Sequence, residues 1–276
     1  MNDIKARMKS VTGTMQITKA MELVANSKLR RAKEKVEKSR PFYEILRKAV
    51  TSLDGLLEFD SPLSQKREVN KTLVIVIAGD RGLAGGYNSN VFKIAESITS
   101  GKHALFLPIG KKALEHFRQR GREIFTDNAF LTSEIGVGDC LSLGNAILEG
   151  YLRKDFDSVA LVYTKFVSML SQLPLYEDIL PLEVEENEKS AGSDVLIEED
   201  VEEMLLRIVP QYIGGILWSA VCEAAASEHG ARRSAMNAAN KNAEEMLDTL
   251  TLKFNRARQA IITQEITEIV SGAEAL

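Results

Sequence analysis

Stepping alternately by four and three residues from Ile4 visits Ile4, Met8, Val11, Met15, Thr18, Glu22, Ala25, Leu29, Ala32, Val36, Ser39, Tyr43, Leu46 and Val50, and eleven of these fourteen are apolar. An apolar stripe held at 3.5 residues per turn over that length is the pattern of a coiled-coil helix. Pro41 lies inside it and is expected to bend the rod, because proline removes a backbone hydrogen bond and crowds the preceding turn. The period then changes. After a connector, GLLEFDSPLSQKREVNK, the run TLVIVIA at 72–78 has strand length and β-branched content, a glycine-rich turn follows, and SNVFKIAESI reads as a helix. The same alternation recurs in HALFLPIG (103–110) with KKALEHFRQR, in REIFT (122–126) with LSLGNAILEGYLRK (141–154), and in SVALVYTKF (158–166). Strands separated by short helices predict a parallel sheet with both faces covered. PLYEDILPLEVEE carries two prolines and is expected to add an edge strand.

From Glu198 the chain reads as helix to its end, interrupted only by Pro210. Nine alanines fall between Ala220 and Ala243, small enough for two helices to approach closely, and Met246, Leu250, Phe254 and Ile261 continue the helical spacing. The fold class expected is α/β: an antiparallel coiled coil of long N- and C-terminal helices flanking a Rossmann-like domain with a mainly parallel sheet. Its parts are 1–56, 70–197 and 198–276. The first rod has about 50 residues and the second about 60, from Gln211 to Val270, or roughly 75 Å and 90 Å. The second therefore overhangs the first by about ten residues. That overhang, RARQAIITQEITEIVSGAEAL, is apolar with nothing downstream to cover it, which predicts a socket supplied by another protein.

Composition narrows the class. With 45% hydrophobic and 27% charged residues the chain can build a core. No apolar run reaches eighteen residues and the N-terminal stretch has no apolar signal core, so neither a membrane span nor export is expected, and the chain is expected in the cytoplasm. Cys140 and Cys222 have no CxxC spacing and His103, His116 and His229 lie far apart, which gives neither a disulfide framework nor a metal site. The formal net charge of -4 conceals a polarity: residues 1–50 carry 13 Lys/Arg against 5 Asp/Glu, and residues 177–203 carry 12 Asp/Glu against one Lys.

Three local patterns have chemical alternatives. AGDRGLAGGYN (78–88) could cradle a phosphate on its amides, but Gly85-Gly86 is followed by Tyr87, not by Lys-Ser/Thr. Gly79, Gly82 and Gly85 are also three and three apart, which fails the dinucleotide spacing, so the segment reads as a tight turn. SKLRRAKEKVEKSR (27–40) could follow a nucleic acid backbone, yet it lacks interleaved aromatics and its glutamates are spaced to pair with lysines. It reads as a charged helix face. Arg258, Gln259, Thr263 and Glu265 fall within about two turns of an otherwise apolar helix, a donor and acceptor set suited to orientation-dependent hydrogen bonds. The catalytic patterns G-x-S-x-G and H-E-x-x-H are both missing.

ITKAMELVANSKLRRA, DRGLAGGYN and ARQAIITQEITEIVSGA, in this order and spacing, resemble the gamma subunit of F-type ATP synthases of the bacterial type. The resemblance covers the whole chain and implies a single-copy central stalk. Its coiled coil would enter a hexamer of alpha and beta subunits, with its α/β domain outside against the epsilon subunit and the membrane ring of c subunits. It implies no cofactor, no catalytic site of its own, no nucleic acid, no insertion into the bilayer, and a peripheral place on the cytoplasmic face of the cell membrane. By the same resemblance, Arg258, Gln259, Thr263 and Glu265 contact a beta subunit, Met21 and Lys28 face the beta subunits, and the loop holding Asp80, Arg81 and Gly82 lies near their lower domains. Turning of the shaft, driven by proton flow, would couple to ATP synthesis or hydrolysis. Ala84 stands where many members carry cysteine, and the cysteine-bearing insertion of chloroplast members is missing, so thiol control is not implied.

Overall fold

The computed structural model describes residues 1–54, 63, 68–126, 128–182 and 201–274. Most of the connector at 55–71, the junction between the expected parts near 197–198, and most of the acidic run lie outside the described residues. The elements are α1 (Asn2–Asp54), β1 (Lys71–Ile77), α2 (Tyr87–Ile98), β2 (His103–Ile109), α3 (Lys111–Gln119), α4 (Val137–Leu152), β3 (Ser158–Phe166), β4 (Gln172–Leu180) and α5 (Val201–Glu274). Two compact units result, one of residues 1–25 with 232–276 and one of residues 26–231, so the division falls within both long helices.

All fourteen stripe positions of α1 are buried or half-buried, whereas most positions between them are exposed. The three polar members have partners that explain their place. Ser39 Oγ donates to the Val36 carbonyl at 3.2 Å. Thr18 Oγ1 donates to Asn240 Oδ1, and Glu22 Oε2 accepts from Asn240 Nδ2 at 2.8 Å. α1 continues through Pro41, and α5 continues through Pro210. The second rod therefore begins near Val201 and not at Gln211: a proline within a long helix costs one hydrogen bond, and packing of Leu205, Val209 and Ile213 into the core holds the turns on either side of it.

In the larger unit the sheet order is β2-β1-β3-β4, with β1 parallel to both β2 and β3 and β4 antiparallel on β3. Alternation along β1 separates two cores. Leu73, Ile75 and Ile77 face α4 and α5, where Ile147, Tyr151, Ile213 and Leu217 are buried. Val74, Val76 and Ala78 face α2 and α3, where Val91, Ala95 and Phe117 are buried. The edge strand expected around PLYEDIL is β4, with Pro174 inside it. The strand expected at 122–126 is not formed. That segment touches the free edge of β2 at one bridge, Phe106 with Ile124, and a second bridge beyond it joins Ile109 with Phe130. Phe106 N donates to the Glu123 carbonyl and Phe125 N to the Phe106 carbonyl, at 2.9 and 2.8 Å, while the Phe125 ring packs edge-on against Phe156 at 6.0 Å, and the pairing goes no further.

Glycine is required where elements approach closely. A Cβ on Gly144 of α4 would lie 2.3 Å from the Pro210 carbonyl oxygen, which fixes the α4–α5 spacing. Gly110, with φ of 100°, ends β2 where a Cβ would lie 1.9 Å from the Ala78 carbonyl oxygen. One 18-residue window within residues 202–271 has mean hydropathy 1.3, and 67% of it is buried in the protein, so packing accounts for its apolar content.

Candidate functional site

In the smaller unit α1 and α5 run antiparallel: Thr18 and Glu22 meet Asn240, while Asn2, Met8 and Thr12 share a groove with Phe254. The covered stripe of α5 also steps by four and three, through Met236, Asn240, Ala243, Leu247, Leu250, Phe254 and Ala257. It stops there. Every residue from 258 to 271 is exposed, a helical length of about 21 Å and longer than the ten residues that rod lengths alone predicted. Within it Ile261, Ile262, Ile266, Ile269 and Val270 are 38% to 71% exposed, although aliphatic side chains of this size ordinarily seek burial.

The four polar residues expected to act here share these turns. Arg258 and Glu265 are seven residues apart and so project from nearly one face; Gln259 and Thr263 are four apart on a neighbouring one. Thr263 Oγ1 donates to the Gln259 carbonyl at 2.9 Å, and Gln264 Nε2 donates to Glu268 Oε1 at 2.8 Å. The Arg258 and Glu265 side chains project into solvent beside isoleucines. Met21 is half-buried in the same unit, whereas Lys28 is exposed and belongs to the larger unit.

The loop holding Asp80, Arg81 and Gly82 follows β1. Asn88 closes it from within: its Oδ1 accepts from Gly79 N at 2.9 Å and its Nδ2 donates to the Arg81 carbonyl at 3.3 Å. Leu83 and Gly85 adopt positive φ, 61° and 58°, to make the turn. Tyr87 Oη ties the loop to α5 by donating to the Ala224 carbonyl at 3.1 Å. A Cβ on Gly79 would lie 2.8 Å from the carboxyl carbon of buried Glu228. The Gly79 amide is thus taken by Asn88, and an acid lies behind it, an arrangement unsuited to a phosphate. Asp80 has an internal task that its sequence position did not reveal. Its Oδ1 accepts from Lys111 N and Thr132 N at 3.1 and 3.0 Å, and its Oδ2 accepts from Ser133 N and Ser133 Oγ at 3.0 and 2.8 Å. Arg81 and Gly82 are exposed beside it.

Sequence reasoning also missed a cleft of about 650 Å3 in the larger unit, walled by Tyr43, Tyr163 and Tyr212. Tyr43 and Tyr212 stack at 6.3 Å. Buried Glu223 accepts from Arg40 Nη2 at 3.1 Å and from Phe166 N at 3.3 Å, and Tyr163 Oη donates to Glu177 Oε1 at 3.1 Å. Burial first, and then the carboxylates of Glu177 and Glu223, push the Tyr163 hydroxyl well above its ordinary pKa. These partners come from α1, β3, β4 and α5, and no short sequence window contains them. Asn240 was the more legible omission, since a lone asparagine on a stripe of buried positions is a sequence signal.

A family model described as ATP synthase matches residues 1–276. An ATP synthase gamma chain of Ruminococcus albus is 45% identical over 278 residues, covering 99% of this chain and 97% of that one. The chain belongs to the ATP synthase gamma chain family. A second family member, the gamma chain of Acetobacterium woodii described as sodium ion specific, is 41% identical over 298 residues, with 99% and 98% covered. Among solved structures, mitochondrial ATP synthase of Euglena gracilis, comprising OSCP, F1 and c-ring in rotational state 3, holds a chain that aligns over 99% of this one and 93% of its own length, with a TM-score of 0.72 at 19% identity. A central stalk and c-ring structure of Tetrahymena thermophila mitochondrial ATP synthase matches with a TM-score of 0.59 at 20% identity, covering 81% of this chain and 99% of that one. At such identities the likeness concerns the fold.

Proposed function

We propose that this chain is the central-stalk rotor of an F-type ATP synthase, and that it couples ion flow through a membrane ring of c subunits to ATP synthesis and hydrolysis. In this reading residues 1–56 and 198–276 form the shaft and 70–197 the α/β domain. The exposed turns at 258–271 enter an alpha/beta hexamer, and the α/β domain meets the epsilon subunit and the ring on the cytoplasmic face of the cell membrane. The observation that carries the reading is the end of the covered stripe at Ala257, beyond which α5 presents isoleucines and a small polar set to solvent. A helix of that composition requires a partner surface.

The mechanism follows from asymmetry. Arg258 and Glu265 lie on one side of the helix, so the shaft presents different chemistry to each of three equivalent beta subunits. Each is stabilised in a different conformation, and turning the shaft permutes the three. Gln259 and Thr263 supply further oriented contacts, with Met21, Lys28 and the Asp80, Arg81 and Gly82 loop adding contacts to the beta subunits along the shaft. Work is carried as differential contact free energy, so the chain requires no chemistry or cofactor of its own. Protons are the coupling ion in this reading. One relative is a gamma chain described as sodium ion specific, so the ion is fixed by measuring whether ATP hydrolysis by the membrane-bound complex acidifies vesicles without sodium.

Reconstitution with alpha and beta subunits tests the main reading: this chain confers one-directional rotation on a tethered probe during ATP hydrolysis. A complex that hydrolyses ATP normally while the probe stays still sinks it. A nucleotide-binding enzyme is the competing class, and the Asn88 and Glu228 contacts at the glycine turn disfavour it.

A further inference from the structure

We propose that the larger unit binds a single-chain amphiphilic anion, such as a free fatty acid, in a pocket between α1, α4 and α5. The cavity holds about 390 Å3, room for roughly a dozen water-sized groups at about 30 Å3 each and within the usual range of small-ligand sites. Phe42 and Val137 line it while remaining 51% and 45% exposed, and Leu141 and Trp218 complete the apolar wall. An aromatic ring and a β-branched side chain left open around a concavity mark a site that gains by being filled. The floor is Gly214 and Gly215 of α5. Gly214 is required by the close approach of Leu141, whose Cα would lie 2.9 Å from a Cβ there. A Cβ on Gly215 would lie 3.1 Å from Leu46 Cδ1 and 3.7 Å from Phe42 Cε1, so its missing side chain lets those two side chains close on α5.

The charge at the mouth selects the ligand's head. Lys35 and Lys38 stand three apart on α1, hence on one face, and both line the pocket. Neither has an ion-pair partner among the described residues, whereas neighbouring Lys33 pairs with Glu37 at 3.7 Å. Asp139, the acid in the first turn of α4, is engaged by Gly136 N at 2.8 Å, so the helix end adds little positive potential and the two ammonium groups supply it. An apolar slot of this volume under two unpaired cations fits a tail of about twelve carbons ending in a carboxylate.

Trp218 is the chain's single tryptophan and reports the site directly. The full-length chain is titrated with laurate below its micelle concentration, with lauryl alcohol, and with dodecyltrimethylammonium. Laurate is expected to change Trp218 fluorescence saturably with one-to-one stoichiometry, and the other two to bind at least tenfold more weakly. Lys35→Glu with Lys38→Glu, both exposed, should weaken laurate at least tenfold, and Phe42→Asp should abolish the change with the circular dichroism spectrum preserved. No saturable change, equal affinity for the three amphiphiles, or binding indifferent to these substitutions overturns the proposal. Phosphatidylcholine vesicles containing phosphatidic acid separate the sources of the head group: a response to vesicles with none to laurate shows surface adsorption and overturns it as well.

Discussion

Asn240 of α5 joins two residues of α1 at once, accepting from the Thr18 hydroxyl and donating to the Glu22 carboxylate at 2.8 Å. It is 8% exposed, on a stripe otherwise occupied mainly by alanine, leucine and methionine. A polar trio of this kind allows one alignment of the two helices, because a shift by one turn would leave the buried amide and the half-buried carboxylate without their partners. Asn240→Ala is expected to lower unfolding free energy by about 1–3 kcal/mol. Replacing all three, Thr18→Val with Glu22→Leu and Asn240→Leu, should restore or exceed the original stability while loosening the alignment. Thermal denaturation by circular dichroism measures the first, and cysteine cross-linking across α1 and α5 the second.

The carboxylate of Asp80 organises the chain ends around β1 and β2 through four hydrogen bonds. Asp80→Ala should destabilise the isolated chain by about 1.5–3 kcal/mol, since bonds to a charged acceptor are the stronger class. Urea unfolding without any other subunit is the check. An unchanged midpoint would leave Asp80 with external contacts alone.

Two glycines that share a positive φ should respond differently to alanine. Gly110→Ala drives a methyl group to 1.9 Å from the Ala78 carbonyl oxygen and is expected to prevent folding. Gly101, with φ of 73° and open space around its missing side chain, should lose only about 1–2 kcal/mol on substitution. Soluble yield and melting temperature of the two variants distinguish the cases.

Alkali should unfold the larger unit before it damages the chain. Burial pushes the Cys140 thiol from 9.0 to about 12, with the Asp139 charge adding to it. Tyr43, Tyr163 and Tyr212 are raised in the same direction, chiefly by burial. A group that holds its proton more tightly when folded contributes stability that is complete below its unfolded pKa and lost as pH climbs towards the folded one. Stability should therefore be flat up to about pH 9 and fall steadily towards pH 12. The same burial predicts that Cys140 reacts with a thiol reagent at pH 8 only after denaturation.

Removing the exposed turns separates folding from assembly. Deletion of residues 262–276, or Ile262→Ser with Ile266→Ser and Ile269→Ser, should shift the stability of the isolated chain by less than about 0.5 kcal/mol, because the side chains of residues 262–271 are already in water. Assembly with alpha and beta subunits, or torque in the assembled complex, should fall. Unchanged assembly and unchanged rotation would remove the partner role from this segment.

The parts of the fold that repeat were the legible parts. A stripe stepping by four and three from Ile4 to Val50 is a statement about one face of one helix, and the sequence contains it whole. The β-branched run at 72–78 and the proline-bearing edge strand were readable for the same reason. What failed depends on distant residues. REIFT has strand composition, yet it meets β2 at a single bridge, Ile124 with Phe106, and how far a segment pairs depends on a neighbour outside its own window. Pro210 looked like a boundary because its local cost is visible and the core burial of Leu205 and Ile213 is not. At the site, Arg258, Gln259, Thr263 and Glu265 could be placed on one exposed segment from spacing. The Asp80 clamp joins residues 31 to 53 positions apart and had no local signal.

The isoleucines beyond Ala257 also bear on supply. A greasy strip open to water is tolerable while something encloses it, and surplus copies of the chain would use their own strips to enclose one another. In the proposed assembly, manufacture of this polypeptide has to keep pace with manufacture of its sheath, and an imbalance in its favour is expected to end in clumped protein, with no spare part to show for it.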